Sequence, residues 1–328
     1  MIFKSLIGNE DIKNTLGIAI KNSSFSHAYI IEGPKGSGKH TIARLASAGI
    51  MCNSGRDIPC EECITCQKIM HDNCVDVRFY NAVKVDEVRE IISTVYESTT
   101  ECDYKIIIFN DADKLNPKAQ NALLISLEEP PKNVVFFLLC QNSGMLLETI
   151  RSRAQILRTK PLDNETIFNH VKSNGSSSIS DENLMEIIIA SQGSLGYVYD
   201  MLDGDKSKEL IKSRALAKSF VVSLLSSDTD AVTIAASMFN WQRDKVKDIL
   251  SLSLIVLRDL IVIKKSQTVS LTFFSTHKEA KEISSPHNIK KLLNLKDAIE
   301  AAIDGLAVNS SVIGTLSSII ADTKKKGR

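Results

Sequence analysis

A glycine-rich segment and a group of cysteines carry the residues whose types and spacing could do chemistry. Residues 33–39 read Gly-Pro-Lys-Gly-Ser-Gly-Lys, and four cysteines follow between positions 52 and 66. Glycines allow backbone N–H groups to approach an anion closely, and a lysine at the end of such a loop can reach terminal phosphates. Clustered thiolates are ligands for a soft metal ion. The two patterns predict a phosphate-binding loop beside a metal-binding module.

The segments on either side of the glycine loop must position it. Residues 27–32 are mostly apolar and predict a strand, whereas residues 41–49 have helical periodicity. A strand, a glycine loop and a helix N-terminus in this order surround an anion with N–H groups, and a chance glycine turn is the alternative. The predicted phosphate contacts are Gly33, Gly36, Gly38, Lys39 and Thr41.

Two positions that would handle magnesium depart from the usual pattern. The residue after the loop lysine is normally Ser or Thr, whose hydroxyl binds Mg²⁺, but here it is His40. Thr41 follows one position later, about 100° further around the helix. The apolar strand at 105–109 ends in Asn110 and then Asp111, whereas ATPases of this kind need a carboxylate at the first position. An amide holds a divalent cation less well, so Asp111 is the remaining candidate for Mg²⁺. Slow turnover and passive ATP binding both stay open.

The cysteine spacing is that of a closed metal site. Cys52, Cys60, Cys63 and Cys66 are separated by seven, two and two residues, so the last three can wrap a tetrahedral ion while the first reaches in from the preceding helix. Four sulfur ligands leave no open position, which predicts structural Zn²⁺. An iron–sulfur cluster and free buried cysteines are the alternatives.

Composition limits the class of protein. The chain has 328 residues with 43% hydrophobic content, and its 40 basic residues nearly balance 39 acidic ones, so attraction to nucleic acid must come from local patches. An odd number of cysteines, seven, fits a reducing compartment. Three of them, Cys74, Cys102 and Cys140, lie outside the metal pattern, and the last is expected in the core. We expect a cytoplasmic protein with no signal peptide and no membrane span.

The chain divides into three predicted units. Residues 1–160 alternate strands, including 133–139, with helices such as 121–127, which predicts an α/β domain with a mostly parallel sheet and a metal-binding module at 52–66. Residues 161–205 predict a small helical unit, and residues 206–328 predict an all-α unit with four or five amphipathic helices. The helices expected in these two units cover 164–172, 181–191, 208–225, 231–239, 243–263 and 289–307.

Two arginines follow the third strand in a polar turn, Thr149-Ile-Arg-Ser-Arg-Ala154. An arginine in such a turn is commonly solvated or in a salt bridge. Arg153 could alternatively reach the γ-phosphate bound by a neighbouring subunit, as an arginine finger.

Together these motifs resemble the AAA+ clamp-loader subunits of bacterial DNA polymerase III, and within them the delta-prime subunits. The resemblance covers about residues 1–200 with specific motifs, and residues 306–309 are similar to the family's collar domain. The matching segments are His27-Ala28, the glycine loop, the four-cysteine insertion, Asp111-Ala-Asp-Lys-Leu115, Asn121-Ala-Leu-Leu124, Leu127-Glu-Glu-Pro-Pro131 and Thr149-Ile-Arg-Ser-Arg153.

The resemblance implies an AAA+ base domain, a helical lid and a helical collar, in a five-subunit ring that loads the sliding clamp onto primed DNA. The implied partners are the gamma/tau and delta subunits and, transiently, the clamp. A delta-prime subunit would act as a stator that does not hydrolyse ATP and would present an arginine finger, here Arg153. Ala154 replaces the family's cysteine after it, and Tyr197 stands where motor subunits place a phosphate-sensing arginine.

Two other functions stay open at this point. An ATP-hydrolysing gamma/tau-type motor subunit would tolerate Asn110 and His40. A free-standing zinc-containing nucleic-acid binder would use Lys84, Arg89 and the basic residues at 324–328, but aromatic residues make up only 5% of the chain, which leaves little material for stacking on bases.

Overall fold

The computed structural model describes residues 3–54, 59–81, 84–175, 179–202, 205–226, 230–266, 271–307 and 310–325. Contacts divide the chain into two compact units. The first comprises Met1–Leu162 with Ser194–Gly196, and the second comprises Asp163–Gly193 with Tyr197–Arg328. The division of the helical part into separate units at 161–205 and 206–328 stays a prediction.

The first unit is built on a five-stranded parallel sheet in the order β2-β3-β4-β1-β5. The predicted parallel sheet is therefore confirmed. Two of its strands, β2 and β5, have no counterpart among the strands predicted from the sequence. The strands are β1 Ala28–Glu32, β2 Val77–Asn81, β3 Lys105–Asn110, β4 Val134–Cys140 and β5 Gln155–Arg158.

Helices cover both faces of this sheet. Alternate residues of a strand point to opposite faces, and in β1 Tyr29 and Ile31 join one buried cluster while Ala28 and Ile30 join another. Every residue of β4 is buried, which explains its unbroken apolar run. The helices of this unit are α1 Glu10–Lys21, α2 Lys39–Met51, α3 Ile64–Met70, α4 Val85–Thr94, α5 Pro117–Glu128 and α6 Glu148–Arg151.

The described residues of the second unit form helices joined by turns and loops, with no strand among them. Its largest buried cluster joins α10, α11, α12, α14 and α15, and α8 packs against both α7 and α10. Six helices follow residue 204 in the described part of the chain, rather than the four or five expected, because α13 and α15 are additional. The helices that follow residue 163 are α7 Asn164–Ser173, α8 Asp181–Ala190, α9 Leu195–Leu202, α10 Asp205–Ser226, α11 Asp230–Ser237, α12 Arg243–Lys265, α13 His277–Ser284, α14 Ile289–Ala307 and α15 Val312–Lys325.

The family-like segment at 306–309 lies partly outside the described residues, as does the basic tail at 324–328. Among the helices that the structure describes, none is both long and apolar enough to cross a membrane.

A buried carboxylate holds a loop against α12. Asp259 is fully buried, and its Oδ2 accepts the backbone N–H groups of Thr272 at 2.8 Å and Phe273 at 2.7 Å. Its Oδ1 forms an ion pair with Arg258. We expect Asp259→Ala to lower the free energy of unfolding by about 3–5 kcal/mol, because the backbone N–H groups of the loop lose their charged acceptor. Urea denaturation monitored by circular dichroism measures the change.

Asp248→Ala is the matched control, because this aspartate lies on the same helix but is exposed. A change within about 0.5 kcal/mol is expected for it. Equal losses in the two variants would show that Asp259 has no special role.

Candidate nucleotide-binding loop and metal centre

The glycine loop joins β1 to α2 at the carboxyl edge of the sheet, where parallel α/β folds bind ligands. A Cβ atom on Gly33 would lie 1.8 Å from the Thr159 Oγ1 atom, so a larger residue would have to displace the Thr159 side chain. Gly38 has a φ of 88° and is the N-cap of α2, a conformation that favours glycine. The loop and the helix N-terminus are therefore arranged as a phosphate-binding loop requires.

The loop lysine is folded over the loop that carries it. Lys39 Nζ donates to the carbonyl oxygens of Gly33 at 2.7 Å and Pro34 at 2.8 Å. Burial lowers the pKa of Lys39, while the charges of Asp111 and Asp113 oppose that change. The structure thus brings Lys39 and these two carboxylates to one edge of the sheet.

A short segment of the first unit, Ser194–Gly196, covers part of the loop. The N–H of Gly196 donates to the Gly36 carbonyl at 3.1 Å, and Ser194 Oγ donates to the Lys35 carbonyl at 3.1 Å. A Cβ on Gly196 would lie 2.9 Å from the Gly36 Cα. Gly196 was not predicted from the sequence, and the only signal for it was its place directly before Tyr197.

His40 is used for packing. Its ring stacks on Phe79 of β2, with centroids 5.6 Å apart and planes 11° apart, and the Arg44 guanidinium lies 5.3 Å from the same Phe79 ring. Burial and the charges of Arg44 and Lys39 lower the pKa of His40, which favours the neutral imidazole. Thr41 lies half-buried in the first turn of α2.

The end of β3 presents an amide. Asn110 is 8% exposed, and its Nδ2 donates to Asn81 Oδ1 at 2.7 Å, while its Oδ1 has no hydrogen-bond partner among the described residues. Asp111 follows in a left-handed conformation with a φ of 49° and is paired with Lys114 at 2.7 Å. The first strand-end position is therefore neutral, and the neighbouring carboxylate has a cation of its own.

Asp113 is a further acidic residue at this edge that was not among the predicted site residues. Its Oδ2 accepts the N–H groups of Gln141 at 2.9 Å and Asn142 at 3.2 Å, which ties the turn after β3 to the turn after β4. Its Oδ1 is buried with no partner among the residues that the structure describes. The only sequence signal was its place three residues after the strand end.

Arg153 follows α6, away from the glycine loop in sequence. Its Nη2 pairs with Glu128 Oε1 at 2.9 Å, and its Nη1 donates to the Thr149 carbonyl at 3.0 Å. The side chain is 36% exposed. The salt-bridged alternative weighed from the sequence is thus the state in the single chain.

The four predicted metal ligands come together between α2 and α3. The sulfur atoms of Cys52, Cys60, Cys63 and Cys66 all lie within 4.8 Å of one another. The Cys60 and Cys66 sulfurs are 3.9 Å apart, close to the ~3.8 Å edge of a tetrahedron with Zn–S bonds of about 2.3 Å. The residues fit a closed tetrahedral metal site.

Backbone donors prepare the sulfurs for a cation. The N–H of Cys63 donates to the Cys60 sulfur at 3.3 Å, and the N–H of Cys66 donates to the Cys63 sulfur at 3.4 Å. The N–H groups of Cys63 and Glu62 lower the pKa of Cys60 to about 6. Burial raises the pKa of Cys66. The Cys60 sulfur is favoured as a thiolate by these N–H groups and can bind a metal ion directly. The buried Cys66 thiol would lose its proton when the ion binds.

The sequence of the first unit is similar to those of known proteins. Residues 8–163 match the family described as "DNA polymerase III, delta subunit". DNA polymerase III subunit gamma of Buchnera aphidicola subsp. Schizaphis graminum is 31% identical over 208 residues, covering 61% of this chain and 57% of that protein. Subunit tau of Bacillus subtilis is 32% identical over 206 residues, covering 62% and 35%. Subunit delta' of Bacillus subtilis is 33% identical over 153 residues, covering 45% and 46%.

The parallel sheet and the glycine loop define the first unit as an α/β domain of the P-loop class. Residues 8–163 are thus similar in sequence to clamp-loader subunits of DNA polymerase III. The chain spans about a third to just over half of the length of these relatives. These relatives include gamma, tau and delta' subunits, so the choice among these three roles has to rest on the residues of the site.

Proposed function

We propose that this chain is a delta-prime-type stator subunit of the DNA polymerase III clamp loader and does not itself hydrolyse ATP. In this role it joins gamma/tau and delta subunits in a ring that loads the sliding clamp onto primed DNA, and it offers Arg153 to the ATP of a neighbour. Asn110 carries the proposal: the strand end where an ATPase needs a carboxylate for Mg²⁺ presents a buried amide tied to Asn81.

Two further observations support the same role. The ring of His40, at the position of the usual magnesium-binding hydroxyl, stacks on Phe79. The Asp111 carboxylate pairs with Lys114. All three positions that would handle Mg²⁺ therefore have other partners, and Thr41 is the one hydroxyl in the first turn of α2. The loop with Lys39 retains the shape for passive ATP binding.

We also propose that the four cysteines bind a structural Zn²⁺ ion. Their sulfur geometry and N–H donors fit the ion, and with four protein ligands it would have no position for water or substrate. Its part in the subunit is to hold the segment between α2 and α3.

The isolated chain should show no ATP turnover above that of Lys39→Ala. Without a carboxylate at position 110, the transition-state charge lacks its metal, and losing one such group costs about 10²- to 10³-fold. Steady-state phosphate release with Mg²⁺ measures turnover, and titration with a fluorescent ATP analogue measures binding, with and without Mg²⁺. Binding that is insensitive to Mg²⁺, with no turnover, is the expected result.

An ATP-hydrolysing gamma/tau-type motor subunit is the second candidate. It is favoured by the intact loop geometry around Lys39 and by the gamma and tau subunits among the relatives. Magnesium-dependent turnover by the wild-type chain that Lys39→Ala abolishes would establish this role and refute the stator. Asn110→Asp is informative in either case, because it restores the missing carboxylate without changing side-chain size.

A further inference from the structure

Two cysteines outside the metal cluster form a pair of their own. Cys74 lies between α3 and β2, and Cys102 lies in the loop before β3. Their sulfur atoms are 3.6 Å apart, and both are free thiols. A disulfide bond has a length of about 2.05 Å, so a movement of about 1.6 Å would join them.

The fold holds this pair in place even though its members lie 28 positions apart in the sequence. Parallel pairing of β2 with β3 aligns Val77 with Ile106, so the segments that precede the two strands meet at one edge. Asp76 is 2% exposed and accepts the backbone N–H groups of Glu101 at 2.7 Å and Cys102 at 2.9 Å. The Asp76 carboxylate, two residues after Cys74, thus fixes the backbone at Cys102.

A small reagent can reach the pair from the side of Cys102, which is partly exposed, whereas Cys74 is only 5% exposed. A surface cavity of about 360 Å³ is lined by Ile64, Thr65, Lys68, Cys74, Glu101 and Cys102. Lys68 and Glu101, which both line this cavity, form an ion pair at 2.8 Å, so their charges largely cancel beside the thiols. Burial and the neighbouring Cys74 raise the pKa of Cys102 to about 12. Reaction should therefore become faster as the pH rises above neutral, because the thiolate is the nucleophile.

The pair differs from the zinc site in its ligand set. The cluster of Cys52, Cys60, Cys63 and Cys66 is the only group of three or more metal-ligating side chains found among the described residues. Cys74 and Cys102 offer two sulfurs, which suits a disulfide rather than a tetrahedral metal ion.

We propose that Cys74 and Cys102 form a reversible oxidation site that reacts with low-molecular-weight disulfides of the glutathione class. One thiolate attacks the reagent, forms a mixed disulfide and releases one reduced thiol. The second thiolate then attacks the mixed disulfide, closes the Cys74–Cys102 bond and releases the other reduced thiol. The protein loses two protons and two electrons, and the reagent takes them up.

The test treats the full chain, loaded with zinc, with oxidised glutathione. Free thiols are then alkylated, the protein is digested without reduction, and the peptides are mapped by mass spectrometry. We expect a Cys74–Cys102 linked peptide that dithiothreitol removes, formed before a colorimetric chelator detects released zinc. Cys102→Ser should abolish the linked peptide and leave Cys74 as a mixed disulfide with glutathione.

Cys140→Ala is the matched control, because Cys140 is a buried thiol at the end of β4 and should not affect the linkage. Three results in the wild-type chain would overturn the proposal. They are linkage of Cys74 or Cys102 to a cysteine of the metal cluster, mixed disulfides with no linked peptide, and complete resistance of both thiols. The wild-type peptide map decides the question even where a variant fails to fold.

Discussion

Replacing Arg153 with alanine in an assembled clamp loader should lower ATP hydrolysis at the neighbouring site by about 10³-fold or more. An arginine supplied to another subunit's γ-phosphate is worth about 10³–10⁵ in turnover, because it stabilises charge that develops only in the transition state. The measurement is single-turnover hydrolysis in a ring reconstituted with gamma/tau and delta subunits, followed by clamp loading onto primed DNA. Hydrolysis at other sites in the ring should persist, so total turnover falls less.

To contact a neighbour's γ-phosphate, Arg153 would have to leave the partners that it has in the single chain. Its guanidinium is paired with Glu128 at 2.9 Å and with the Thr149 carbonyl at 3.0 Å. Both partners of the ion pair are partly exposed, and such pairs contribute about 0–1 kcal/mol. A γ-phosphate can therefore compete for the arginine at little cost. Glu128→Gln should leave hydrolysis within a few-fold of wild type, in contrast to Arg153→Ala.

Two variants separate a finger from a general surface effect. Arg89→Ala removes an exposed arginine that is paired with Asp86 at 3.2 Å on α4, and it should leave the ring unaffected. Arg153→Lys keeps the charge but loses the planar fork, so most of the activity should still be lost. Normal ATP hydrolysis by a ring that contains Arg153→Ala would refute the arginine-finger role. The ATP turnover measurement on the isolated chain would still test separately whether this subunit hydrolyses ATP.

The parts of the fold that rest on local signals could be predicted from the sequence. β1, the glycine loop and α2 lie next to one another in the chain, and β3 and β4 have long apolar runs because helices cover both faces of the sheet. β2 and β5 gave no such signal. β2 is an edge strand with two exposed residues among its five, and β5 has a single buried residue, Leu157.

The candidate site shows the same division between local and distant contacts. Cysteine spacing was enough to place four sulfurs together, because Cys60, Cys63 and Cys66 lie within one turn and the start of one helix. The stacking of His40 on Phe79 could not be foreseen, since Phe79 lies on the unpredicted β2. Likewise, only the pairing of β2 with β3 brings Cys102 to Cys74.

Removing the metal from the cysteine cluster should unfold the segment between α2 and α3. Structural zinc contributes about 10–16 kcal/mol of binding free energy in small zinc peptides, and α3 has only seven residues, too few to be stable alone. We expect one zinc ion per chain by elemental analysis. Chelation should lower the free energy of unfolding by more than about 3 kcal/mol and reduce the helical circular dichroism signal. Cys63→Ser should have the same effect, because it removes one of the four sulfur ligands while serine can still cap α3.

Packing against the surrounding core limits how far unfolding extends from the metal site. Cys66 and Ile69 of α3 are buried against the cluster that also holds one face of the sheet, so the loss should begin at α3 and leave the parallel sheet folded. Hydrogen exchange would then show fast exchange in 60–71 and slow exchange in β1, β3 and β4. Cys140→Ala, which removes a buried thiol outside the cluster, should bind zinc normally. Visible absorption typical of an iron–sulfur cluster in the purified protein, or full stability of Cys63→Ser, would contradict a structural zinc site.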